Sequence, residues 1–102
     1  MIFIIKRDLT HKKGGLSVNN KIYVIIDEYT TDTTQTTIIL CKDKNTLKEK
    51  FENILKEELE FYDEIYDEFD SVWNEEDPTM SYIYRHNNIS NTNIHIEEKE
   101  IL

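Results

Sequence analysis

Alanine is absent from this chain of 102 residues, and glycine (two), cysteine (one) and proline (one) are close to absent. With Gly14 and Gly15 as the only glycines, neither the dinucleotide fingerprint nor the phosphate-loop motif can be written, which excludes both kinds of nucleotide site. One cysteine, Cys41, cannot form an internal disulfide and fits a reducing, cytoplasmic setting. No apolar run approaches membrane-spanning length. Met1-Ile2-Phe3-Ile4-Ile5 is followed at once by Lys6, Arg7 and Asp8, so neither a span nor an export signal is expected. Codons for the missing small residues are rich in G and C, which predicts an AT-rich genome, such as that of a low-GC bacterium or its phages. That bears on origin and not on fold.

Positive charge is missing from one long interval. Between Lys56 and Arg85 there is no basic residue, while Glu57, Glu58, Glu60, Asp63, Glu64, Asp67, Glu68, Asp70, Glu75, Glu76 and Asp77 crowd its first part. Residues 1–56 hold ten Lys/Arg against seven Asp/Glu and residues 78–102 two against three, so the net charge of −9 comes from residues 57–77. A block of like charge is commonly a disordered tail. Phe61, Tyr62, Ile65, Tyr66, Phe69, Val72 and Trp73 are threaded through this one, which predicts a folded segment displaying its charge.

At about 100° per residue, Glu57, Glu60, Asp63, Glu64, Asp67, Glu68 and Asp70 fall within an arc of roughly 160°. Leu47, Phe51, Ile54, Leu55, Leu59, Tyr62, Ile65, Tyr66, Phe69, Val72 and Trp73 occupy the opposite face. One long acidic amphipathic helix from about Thr46 to Trp73 is the economical reading. Thr46-Leu47-Lys48-Glu49 fits a capping box at its start, and Pro78 stops it. Such a helix opposes its own stability. Seven like-charge neighbours at i,i+3 or i,i+4 would cost roughly 1.5–3.5 kcal/mol, and they crowd the negative end of the dipole. A merely solvated face would not need so much charge, so a surface shaped for a positively charged partner is expected.

Ile2–Ile5, Lys21–Asp27 and Thr36–Cys41 read as strands, as do Met80–Arg85 and Thr92–Glu97 after the helix. The order βββαββ predicts a single α+β domain over residues 1–102, an antiparallel sheet packed by one long helix. Tyr62, Tyr66, Phe69 and Trp73 are expected in the core. Tyr82 and Tyr84 share a strand face and would serve as interface anchors if the helix leaves that face uncovered.

Catalytic chemistry is sparse. His11, His86, His95 and Cys41 share no metal-ligand spacing, and Asn74-Glu75-Glu76-Asp77-Pro78 lacks the glycine and alternation of a calcium loop. Cys41 has no activating neighbour in sequence and reads as a small buried strand residue. A solvated all-acid face lacks the burial that separates the pKa values of two catalytic carboxyls. No enzyme activity, metal or cofactor is expected. Asn88-Ile89-Ser90 matches a glycosylation acceptor and reads as chance without an export signal.

Glu49-Lys50-Phe51, followed by Trp73-Asn74-Glu75-Glu76-Asp77, resembles a family of small acidic phage proteins, the type II-A anti-CRISPR inhibitors of Cas9, some of which mimic DNA. In that family a helix precedes the strands, whereas this chain opens on Ile2–Ile5 and places most acids before the Trp. The resemblance implies an inhibitor whose acidic face occupies a nucleic-acid groove. Carboxylates one helical turn apart lie about 5–6 Å from one another, near the spacing of phosphates along a strand. The expected partner is a basic nucleic-acid-binding protein, such as Cas9 or another CRISPR effector, and neither nucleic acid nor a membrane. The contact residues are expected to be Glu57, Glu60, Asp63, Glu64, Asp67, Glu68, Asp70, Glu75, Glu76 and Asp77, with Tyr82 and Tyr84. An immunity protein or antitoxin covering a basic nuclease toxin would use the same electrostatics, and a host adaptor is a third reading. Oligomeric state is left open.

Overall fold

The computed structural model describes residues 21–101; the expected strand Ile2–Ile5, together with His11 and Gly14-Gly15, lies outside them. The elements are β1 (Lys21–Thr30), β2 (Thr34–Cys41), α1 (Lys44–Phe61), β3 (Glu68–Val72), a 3-10 turn (Pro78–Met80), β4 (Tyr82–His86) and β5 (Asn91–Glu100). All strand pairings are antiparallel, in the spatial order β2-β1-β5-β4-β3. The class is therefore α+β, one antiparallel sheet with one helix. The order along the described chain is ββαβββ, where βββαββ less the strand Ile2–Ile5 predicts ββαββ: the added strand is β3, in the stretch expected to continue the helix.

The register sorts side chains between the two faces. Ile25 stands opposite Ile39 and Ile96, and Ile83 opposite Ile94 and Ser71, so these residues point to the same side. On that side Leu47 and Phe51 of α1 complete a core with Ile25, Cys41, Ile83, Ile94 and Ile96. Burial in this core pushes the Cys41 thiol up. Ile22 and Val24, one residue out of phase with Ile25, are buried on the other face.

Two features of the expected helix are corrected. Its start lies three residues earlier, with Asp43 as N-cap: Asp43 Oδ1 accepts from the Thr46 N–H at 2.7 Å, which holds the Asp43 carboxyl below its usual range. Thr46 is thus inside the first turn, and its pattern with Glu49 is not a capping box. Its end comes at Phe61 and not at Trp73. Stopping there leaves only Glu57/Glu60, of the seven like-charge pairs, wholly within the helix, and removes Asp63, Asp67 and Asp70, all poor helix formers. Relieving that one pair with Glu57→Gln or Glu60→Gln is expected to raise low-salt stability by about 0.2–0.5 kcal/mol, read by thermal melts at two ionic strengths.

Residues 62–67 turn the chain without glycine. Asp67 Oδ2 accepts from the Asp63 N–H at 3.1 Å, Asp63 Oδ1 accepts from the Ile65 N–H at 2.9 Å, and the Asp63 carbonyl accepts from Tyr66 and Asp67. β3 then pairs with β4, and its alternation turns Phe69 and Ser71 inward and Glu68, Asp70 and Val72 outward. Pro78 opens a 3-10 turn capped by Asp77 rather than ending a helix. Trp73 packs on Phe51 with ring centroids 5.2 Å apart, and Tyr62 on Phe69 at 5.3 Å.

Candidate partner-binding surface

The acids expected on one helix face are distributed over three places. Glu57 and Glu60, on the last turns of α1, are exposed, as are Asp63 and Glu64 in the following turn. Glu68 and Asp70 project from β3 to the face away from the helix. Glu75, Glu76 and Asp77 lie in the loop before the 3-10 turn, at the opposite end of α1 from Glu57.

Several of these acids have structural duties. Glu75 receives Lys44 and Lys48, each at 3.0 Å, and the Trp73 indole N–H at 3.1 Å. These donors, Trp73 first, pull its carboxyl down to about 2. The stability it contributes is fully present above the unfolded value near 4.5 and is lost as pH falls toward 2. Glu75→Gln is therefore expected to melt lower than the wild type at neutral pH, with the gap closing between pH 4.5 and 2 in acid-titrated melts.

Asp67 is turned inward. Its Oδ1 accepts from the Asn87 side-chain amide at 2.8 Å and its Oδ2 lies 3.4 Å from Arg85, whose Nε also donates to Glu58 at 3.1 Å. The Asn87 bond above all, with the Asp63 N–H and Arg85 adding, holds the Asp67 carboxyl below its usual range. Arg85 is thus the counter-charge that the interval after Lys56 lacks. Its position carries the signal: it is two residues from the buried Ile83 on a strand, hence inward-facing, and an inward cation requires a carboxylate.

Around this ion cluster the surface is apolar. Phe61, Tyr66 and Ile89, which are 69%, 72% and 82% exposed, line a cleft of about 380 Å³ with Asp63, Asp67, Arg85 and Asn87. Ile65, 82% exposed, stands in the same turn. A second cleft of about 300 Å³ lies between Asp27, Tyr29, Glu58 and Thr92 and shares Phe61 and Arg85 with the first. Burial, then Glu58 and Glu57, push the Asp27 carboxyl up. A raised acid costs stability once it ionises, so Asp27→Asn is expected to raise Tm at pH 7 and to lose that advantage at acidic pH.

Tyr66 is therefore corrected from core to surface, and Ile65, expected on the apolar face of the helix, is exposed beside it: the helix that would have turned them inward ends at Phe61. Phe69 and Trp73 do pack on the core, and Tyr62 meets it through Phe69. No family model, curated protein or solved structure matches this chain.

Tyr82 and Tyr84 point away from the helix and are half-buried. Tyr82 donates its hydroxyl to Asp70 at 2.6 Å, which pushes the phenol up, and the Tyr84 ring stacks on His86 with centroids 6.1 Å apart. His95, opposite Tyr82 on β5, completes a row of rings on this face. Among the described residues no cluster of three His, Cys, Asp or Glu is placed to hold a metal, and no helix is long and apolar enough to cross a membrane.

Proposed function

We propose that this chain is a phage-type anti-defence inhibitor, acting in the bacterial cytoplasm, that binds a basic nucleic-acid-handling protein such as a Cas9-like effector. The observation that carries this reading is the end of α1, where exposed Phe61, Ile65, Tyr66 and Ile89 are interleaved with Glu57, Glu60, Asp63 and Glu64. Exposed aromatics ringed by one sign of charge suit an interface: the rings supply buried contact area, and the carboxylates steer a Lys/Arg-rich surface and set its register. A net charge of −9 repels nucleic acid, so the partner is the protein that handles it. Glu68 and Asp70, with Tyr82 and Tyr84 on the other face, form a second acidic and aromatic area available to a wrapping partner. Glu76 adds charge at the far end of α1, where Glu75 and Asp77 are engaged in the ion pairs and cap of their own loop, whereas Asp67 supports the surface from within the fold.

An immunity protein for a basic nuclease toxin is the second reading. The mixture of rings and acids favours it over a pure phosphate mimic, because α1 ends before a regular ladder of carboxylates is built. Phage plaquing on a CRISPR-immune strain expressing the chain separates the two. Restored plaquing, with inhibition that competes with target DNA and weakens steeply with salt, supports the first. Unchanged immunity, together with protection from one cognate toxin, overturns it in favour of the second. Tight binding of duplex DNA or RNA in low-salt gel-shift titrations overturns both.

A further inference from the structure

The two edges of the sheet have opposite character. β3 is five residues long and carries Glu68 and Asp70, charges that keep an edge from pairing with a foreign strand. β2 is eight residues long, Thr-Gln-Thr-Thr-Ile-Ile-Leu-Cys, without charge, glycine or proline. Among the described residues no strand pairs with its outer side. Thr34 to Thr37 are exposed, and Leu40 is 49% exposed. β-branched, uncharged and unguarded, this edge has the composition that pairs edge to edge. It is also an uncharged stretch of a chain of net charge −9, where a second like-charged molecule meets little repulsion.

We propose that β2 is a dimerisation edge, at which a second copy of this chain adds its own β2 antiparallel and doubles the sheet. Residues directly opposite in an antiparallel pair share a face, so the two-fold axis stands normal to the sheet, passes midway between the two copies of one residue and keeps both helices on one side. Centring on Thr37 brings Asp32, in the turn before β2, beside Lys42 of the second copy, at both ends of the joined strands. Centring on Ile38 would bring Asp32 beside Lys44 instead. Lys44 is already engaged by Glu75 at 3.0 Å within its own copy, so the Thr37 register is favoured. In that register Thr36 of each copy stands opposite Ile38 of the other. One strand edge is small against the roughly 1,600 Å² of a standard interface, which makes the association concentration-dependent.

Sedimentation of the full chain over a wide concentration range tests this. The wild type should approach twice its chain mass as concentration rises. Thr36→Lys places two cations beside the axis, and Asp32→Lys opposes Lys42; each should raise the dimer dissociation constant by about tenfold or more with circular dichroism unchanged. Lys42→Asp added to Asp32→Lys should restore association. Hydrogen exchange supplies a readout free of substitutions: in the wild type the outward β2 amides should gain protection with concentration. A monomer at every concentration, a dimer indifferent to both substitutions, or β2 protection independent of concentration would each overturn the proposal, the last by assigning the edge to a segment of the same chain.

Discussion

Arg85→Ala is expected to destabilise this protein by about 3 kcal/mol, the low end of the cost of removing one partner from a buried ion pair. At about 4–8 °C per kcal/mol for a domain of this size, that corresponds to a fall in Tm of roughly 12–24 °C. The guanidinium is 13% exposed and meets Glu58, itself 16% exposed, at 3.1 Å and Asp67 at 3.4 Å. Without it two carboxylates face each other across the end of the core. Asp67 keeps the Asn87 and Asp63 bonds, which is why the low end of the range applies. Guanidinium chloride unfolding at neutral pH measures the loss, and a change below about 1 kcal/mol would mean that water replaces Arg85 at little cost. Arg85→Lys keeps the charge and loses the fork, so it should fall between the two.

The largest functional effect is expected from Phe61→Ser combined with Tyr66→Ser. Anchors of this kind cost about 2 kcal/mol or more each when truncated, about 30-fold in affinity, whereas exposed positions leave stability within about 0.5 kcal/mol. Binding to the proposed basic partner, captured from host lysate, should therefore collapse while Tm holds. Glu57→Gln with Glu60→Gln should act differently, slowing association and flattening the salt dependence with a smaller loss of affinity. Calorimetry and stopped-flow mixing with the purified partner separate the two outcomes. Retained binding by the Phe61/Tyr66 variant, with loss in Tyr82→Ala/Tyr84→Ala, would move the interface to the face away from the helix.

The amino-acid sequence by itself determined the α+β class, because β-branched runs at 21–27 and 36–41 and the alternation through Ile94 and Ile96 allow little but strands, and the spacing of Leu47, Phe51 and Ile54 allows little but a helix. It also determined where the charge lies, since net charge by segment depends on no fold. What its periodicity assigned wrongly, to the helix, is residues 62–73. Tyr62, Ile65, Tyr66, Phe69, Val72 and Trp73 fit a helical face, yet Phe69, Ser71 and Trp73 fit a strand face equally well. Local period does not contain the competing quantity, the pairing and burial gained when 68–72 closes the edge of β4 and Phe69 meets the core. Only the tertiary structure weighs that gain against six like-charge contacts in an extended helix. The same decision exposes Tyr66 and Ile65, turns Asp67 toward Arg85 and Asn87, and replaces a continuous acidic ridge with an aromatic and acidic knob at the end of α1.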